Sequence, residues 1–334
     1  MISGAPPTGR GDLDLIRTEV RRLAEKYGCE YWRSLEPDRY PEEFVVDLTT
    51  HGWLGALIPE EYGGGGLDLT GASVVLEEIS ASGGNPSACH AQMYVMGTLV
   101  RHGSEEQKQT HLPPIARGEV QWCQGYSEPE SGSDLASLST RAVRDGDEYI
   151  INGAKIWTTL AHRADWIMCL ARTDPDAPKH RGISFILVDM KTPGVEVRPI
   201  VNMSGGHEFN QVIFDNVRVP RRNVVGEENR GWYVAVTLLD FERSGIDYSA
   251  MSRRLLDEIR EYATERQQNG QSLVKEPWVR NLLADRYIET EVARLMAYNV
   301  AYMQGEGLVP NREASMSKVL SLIHISEPTR RTPI

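Results

Sequence analysis

The sequence has little of several things that would announce a function. Only four cysteines occur in 334 residues, Cys29, Cys89, Cys123 and Cys169, and no two of them form a C-x-x-C pair. None of the eight histidines belongs to an H-E-x-x-H run. Zinc sites and disulfide frameworks are therefore not expected, and a reduced compartment is. Apolar runs of the roughly 18 residues that a spanning helix needs are missing. The opening MISGAPPTGRGDLDLIRTEV carries acids and has no apolar centre. Neither a membrane span nor a secretory leader is expected, and a soluble cytoplasmic protein follows. Positive charge is short as well. The 36 basic residues against 47 acidic ones leave −11, a balance that disfavours non-specific attraction to nucleic acid or anionic lipid. A polyanionic ligand would need a local basic site.

What is present is a globular composition, 40% hydrophobic and 25% charged, in a chain long enough for two or three packed units. The pattern changes twice along it, which predicts an α+β fold of three zones. Residues 1–118 read as an N-terminal helical domain: LIRTEVRRLAEKY repeats Leu15, Val20 and Leu23, PEEFVVDLTTHGW opens on Pro41, and HAQMYVMGTLVRHG closes on Gly103. Residues 119–226 read as a middle domain of short β-rich runs, an antiparallel barrel or sandwich, with hairpin signals at Asp145-Gly146 and Asn152-Gly153. Residues 227–320 return to helical period. The proline-free run from Gly231 to Gly270 carries Met251, Leu255, Ile259 and Tyr262 on one face, and a second long amphipathic helix follows from Pro277. Two antiparallel helices are half of a four-helix bundle. The last stretch begins as a third helix and loses its period after about Leu320. Residues 321–334 are accordingly expected to be a non-native tail on an incomplete bundle.

The richest segment is WCQGYSEPESGSDLASLSTRA, Trp122 to Ala142. A strand runs into a loop in which Ser127, Ser131 and Ser133 supply hydroxyls, Pro129 fixes a turn, and Gly132 lets a ligand approach backbone. Taken alone it could equally be a hydroxyl-rich turn. A second segment, DEYIINGAKIWTTLAHRADW, ends a strand on Trp157, Thr158 and Thr159.

Together these segments resemble the acyl-CoA dehydrogenase family, whose middle domain carries a TEPxxGSD loop and a GxKxWIT strand. IPEEYGGGGLDL, GSEEQKQTHLPPIARGE, PGVEVRPI, VIFDNVRVPRRNVVGEENRGW and LDFERSG fall in the family's order, so the resemblance covers about Leu15 to Leu320. It implies a helical domain, a β-domain and a four-helix bundle, with FAD held in a cleft between the last two and no dinucleotide-binding Rossmann fold. No G-x-G-x-x-G occurs here, and Gly63–Gly66 read as a turn between helices.

By that resemblance Gln124, Tyr126 and Ser127 line the flavin, with Ser127 in place of the usual threonine, while Trp157 and Thr159 cover it and bond its N5 side. Polar donors around the ring stabilise charge on it, and an aromatic wall excludes water. Ser133, Asp240 and Arg243 fall on the substrate side, Arg243 being suited to the phosphates of CoA. The implied reaction is α,β-dehydrogenation of an acyl-CoA thioester to the trans-2-enoyl product, with electrons passed to an electron-transfer flavoprotein. Its base must be a desolvated carboxylate. In some branches of the family that base comes from the first bundle helix, at the position of Glu242, flanked at helical spacing by Leu238, Leu239, Gly245 and Ile246. Glu242 is also read as a structural acid in other branches. Arg266 matches the residue that reaches the FAD of a neighbouring subunit in a dimer or tetramer, yet the family's RxTFG is here RQQNG, with Gln268 and Asn269 in place of the hydroxyl and aromatic residues. Two other readings stay open: a flavin oxidase of the same fold, and a non-catalytic or half-active subunit of a hetero-oligomer.

Overall fold

The computed structural model describes residues 9–87, 97–242 and 245–326, with side chains at 10, 240–242 and 321–326 left aside. In chain order the helices are α1 (Arg10–Ala24), α2 (Cys29–Ser34), α3 (Glu42–Thr50), α4 (Leu69–Ala81), α5 (Glu105–Ala116), α6 (Gly231–Glu242), α7 (Ile246–Glu265), α8 (Pro277–Gly305) and α9 (Asn311–Ser326), with residues 97–102 also helical. The strands are β1 (Trp122–Gly125), β2 (Arg141–Asp145), β3 (Glu148–Thr159), β4 (Trp166–Arg172), β5 (Ile183–Asp189), β6 (Val195–Ile200), β7 (Phe209–Pro220) and the short pair β8 (Gln267–Gln268) and β9 (Gln271–Ser272). They fall into two compact units. Among the described residues, one comprises residues 9–32, 67–87, 240–242 and 245–326, and the other residues 33–66 and 97–239.

Local sequence explains where the elements begin and end. Asp68 caps α4, its carboxylate accepting the Gly71 N–H at 2.7 Å. Ser104 and Gln107 form a reciprocal capping box on α5. The Gln107 amide then donates to the carbonyls of Arg222 and Val224, at 2.8 and 3.0 Å. Pro277 opens α8 in its first turn, where no N–H is needed. Gly63, at φ 83°, ends a single 3₁₀ turn, so the glycine run is the turn expected.

In the second unit seven strands form one sheet in the order β1-β4-β2-β3-β7-β6, with β5 on β4. Most neighbours are antiparallel, while β1 runs parallel to β4 because the β2–β3 hairpin lies between them in the chain. Of the two hairpin signals only the first turns the chain. β2 and β3 close over Gly146, at φ 63°. At Asn152-Gly153 the strand β3 continues, and the pair instead marks a register shift against β7. There the Asn152 side-chain Oδ1 accepts the Asn216 backbone N–H at 2.8 Å, and Asn216 itself takes φ 53°. One face of the sheet buries Tyr149, Ile151, Ile167, Ile186, Phe214 and Val219 in an apolar core.

In the first unit α1, α4, α7, α8 and α9 pack together. The run read as one helix from Gly231 is two: α6 is described through Glu242, and Gly245, at φ 72°, precedes α7. Met251, Leu255, Ile259 and Tyr262 do share a face of α7, but that face is exposed, between 46 and 61%. The RQQNG segment is a hairpin, with Asn269 and Gly270 at φ 53° and 76° forming the two-residue turn between β8 and β9. The helical backbone of α9 runs past Leu320 to Ser326.

Candidate active site

Two runs of the second unit bring the expected flavin-facing residues together. The first is β1 and the loop after it, carrying Gln124, Tyr126 and Ser127. The second is the end of β3, carrying Trp157 and Thr159. They are tied by the Ile156 N–H, which donates to the Ser127 carbonyl at 2.9 Å.

The end of β3 is bent on purpose. Lys155 pairs with Val212 and Thr158 with Asn210, so three steps on β3 face two on β7. The extra residue is absorbed by Trp157, which sits at φ 61° in the left-handed region that a bulky side chain rarely adopts. Its ring is 58% exposed and meets Phe209 edge-on at 6.4 Å. Thr158 points inward and is buried, so Thr159 points out again beside the tryptophan. The bulge therefore presents an indole plate and a hydroxyl on the solvent side of a sheet whose other side is core. Ser127 and Gln124 are half-buried and Tyr126 is buried, its ring edge-on to Phe185.

A buried ion pair holds the loop from beneath. Lys155, wholly buried, donates from Nζ to Glu128 Oε1 at 2.8 Å and to the Tyr126 carbonyl at 3.2 Å. The Glu128 carboxylate also accepts from Ser139 N and Oγ, at 2.6 and 2.9 Å, and from Thr140 N at 3.0 Å. Burial works to raise the Glu128 pKa, but the Lys155 charge and these donors outweigh it and bring it down to about 2. Glu128 and Ser131 exchange backbone hydrogen bonds across Pro129, which sets the loop's turn. Further along the loop Ser133 is exposed, next to the Asp134–Lys179 ion pair at 2.6 Å.

Neither member of the buried pair is among the residues to which the resemblance gives a role. The signal was there: a lysine inside a strand of apolar neighbours needs a partner of opposite charge.

The remaining expected residues stand differently. Arg243 lies outside the described residues, as do the side chains of Asp240 and Glu242 at the end of α6. Of the four residues flanking Glu242 at helical spacing, Leu238 and Ile246 are buried, but Gly245 and Ile246 do not continue α6. Arg266 is exposed at the end of α7, its backbone N–H donating to the Tyr262 carbonyl and its carbonyl accepting the Leu273 N–H.

Family models match in three consecutive blocks: the acyl-CoA dehydrogenase N-terminal domain over residues 11–119, the middle domain over 123–217 and the C-terminal domain over 229–324. The chain belongs to the acyl-CoA dehydrogenase family. It is 37% identical to the acyl-CoA dehydrogenase IpdE1 of Mycobacterium tuberculosis over 83% of this chain and 69% of that one. With FadE29 of the same organism it shares 39% identity over 80% of this chain and 70% of the relative. Among solved structures, a glutaryl-coenzyme A dehydrogenase bound to glutaryl-CoA superposes with a TM-score of 0.88 at 28% identity, covering 95% of this chain and 82% of the other.

An acyl-CoA dehydrogenase is an FAD-dependent flavoenzyme, and the second unit fits that cofactor. An indole held outward on left-handed backbone is a costly arrangement for a protein with nothing to stack on it. Beside it are the Thr159 and Ser127 hydroxyls and the Gln124 amide, donors of the kind a flavin edge requires. Among the described residues no group of three or more histidine, cysteine or acidic side chains could hold a metal, and no helix is long and apolar enough to cross a membrane.

Proposed function

We propose that the chain catalyses α,β-dehydrogenation of an acyl-CoA thioester, with Glu242 as the base that removes the α-proton. FAD, when bound, supplies the acceptor for the hydrogen that leaves the β-carbon. Gln124, Tyr126, Ser127, Trp157 and Thr159 hold the flavin, and the observation that carries this reading is the bulge that turns Trp157 and Thr159 outward next to Ser127. The indole shields the reacting centre from water, which strengthens each hydrogen bond made there.

On the substrate side, Ser133 and Arg243 contact the CoA portion, Arg243 offsetting its phosphates, a need set by the chain's net charge of −11, and Asp240 is a substrate-side hydrogen-bonding acid. The proton taken by Glu242 rests on its carboxyl oxygen until product leaves. Electrons then pass to an electron-transfer flavoprotein, and Arg266 reaches toward the cofactor of a neighbouring subunit in an oligomer. The test is Glu242→Gln in protein reconstituted with FAD, mixed anaerobically with acyl-CoA thioesters of several chain shapes. Loss of the base lowers the rate of flavin bleaching by about 10²–10⁴-fold with cofactor affinity kept. A near-normal bleaching rate would move the base to another residue.

A further inference from the structure

The wall that carries Trp157 and Thr159 is held from behind by one buried amide. Asn210 is fully buried and stands opposite Thr158 in the β3–β7 register. Its Nδ2 donates to the Thr158 carbonyl at 3.1 Å and lies 3.4 Å from the Glu208 carbonyl. Carbonyls only accept, so these contacts fix which end of the amide is nitrogen. Two histidines meet the same amide: His207 Nε2 lies 2.7 Å from Asn210 Oδ1, and His162 Nδ1 lies 3.3 Å from Asn210 Nδ2. With the amide's orientation fixed, His207 must donate through Nε2. His162 must accept through Nδ1, so it carries no proton there.

The rings of His162 and His207 stack at 4.2 Å with an interplanar angle of 28°. His162 is exposed, whereas the amide it touches is not. A proton from solvent can reach Nδ1 directly, and once there it meets the amide N–H of Asn210 head-on and a second imidazole face to face. The charged groups around His162 come from several elements. Arg163 follows it in the chain, paired to Glu42 of α3 and lying 4.4 Å over the Tyr40 ring. Asp38 stands nearby, its carboxylate accepting the His207 backbone N–H at 2.9 Å.

We propose that Asn210 is a positioning residue for the flavin wall, and that protonation of His162 releases its hold on the Thr158 carbonyl. The proposal rests on the flavin-facing role given above to Trp157 and Thr159. Release frees the bulge at its centre. The neighbouring Leu160 N–H, bonded to the Glu208 carbonyl at 2.8 Å, loosens with it. Burial, the neighbouring His207 ring and Arg163 lower the His162 pKa below its ordinary 6.5, against the Asn210 contact and Asp38. The change therefore falls on the acid side of 6.5, and the neutral form is the one that holds.

Two measurements on the wild type and on His162→Phe, which keeps a ring stacked on His207, decide it. Amide hydrogen exchange at residues 158–160 in flavin-free protein, corrected for intrinsic rate, is expected to accelerate several-fold in the wild type between pH 7.5 and 5. The variant should show no such step. FAD affinity, read by flavin fluorescence over the same range, should weaken roughly tenfold in the wild type, about what one hydrogen bond is worth, and stay level in the variant. An exchange step that is missing in the wild type, or kept in His162→Phe, overturns the proposal. A step that appears in exchange while FAD fails to bind at any pH refutes the flavin reading and leaves the His162–Asn210 coupling standing.

Discussion

Replacing Lys155 with methionine tests whether the flavin-side loop is held by its buried ion pair. The substitution keeps an unbranched stem of similar volume and removes the charge together with the Nζ donors to Glu128 and the Tyr126 carbonyl. Glu128, whose side chain is 3% exposed, would keep its bonds from Ser139 and Thr140 but lose the Lys155 ammonium. Breaking a buried pair in this way costs about 3–5 kcal/mol. A second route gives a similar figure. Each tenfold change in proton affinity is worth about 1.4 kcal/mol. Holding the carboxyl at about 2 instead of its ordinary 4.5 thus corresponds to about 3 kcal/mol of stability at neutral pH.

The sign follows from the depressed value. This stability is present above the unfolded carboxyl's 4.5 and is lost as pH falls toward 2. Urea unfolding of flavin-free wild type and Lys155→Met should differ most at pH 7, with a gap that narrows as pH falls below 4.5 toward 2. The double variant Glu128→Gln/Lys155→Met should regain most of the loss, because the glutamine oxygen still accepts from Thr140 and no buried charge is left alone. A single variant within about 1 kcal/mol of wild type, or a gap independent of pH, would show that the pair does not hold the loop.

Two further outcomes follow from the same physics. Trp157→Ala should change flavin-free stability by no more than about 0.5 kcal/mol, since the ring is 58% exposed. It should nevertheless weaken FAD binding about tenfold, as loss of an aromatic contact does, and equal affinity in equilibrium titration would remove the indole from the site. In the first unit, Glu77 on α4 meets Arg17 at 2.5 Å, the Tyr298 hydroxyl at 2.5 Å and Arg294. Burial pushes its pKa up, but Arg294, Tyr298 and Arg17 prevail and lower it. Glu77→Gln should destabilise the protein by about 2–3 kcal/mol at pH 7, the partly exposed arginines limiting the loss, and by less below pH 4. An unchanged unfolding midpoint at pH 7 would refute this.

How much of this was legible in the sequence depended on whether the cause was local. The helix start at Pro277 and the hairpin at Asp145-Gly146 are written in one or two adjacent residues, because a fixed or a positive φ needs no distant partner. Asn152-Gly153 carries the same local signal and turns nothing. Its preference is spent on a bulge set by Asn216, 64 residues away, and no short window contains that partner. The long run from Gly231 failed for the complementary reason: helical period continues across Gly245, and only a backbone at φ 72° reveals the break.

The candidate site divides along the same line. Tyr126, Ser127, Trp157 and Thr159 are named by the motif, but what brings them together is not. Trp157 faces outward only because β3 carries one residue more than β7 between Lys155 and Thr158, and that count is a property of the pair of strands. The residues that hold the bulge in place, Lys155 beneath one end and Asn210 behind the other, are buried polar groups whose partners lie 27 and 52 residues away. A buried lysine or asparagine in a strand can be read from sequence as a demand for a partner, but which partner answers is settled by the register of the sheet.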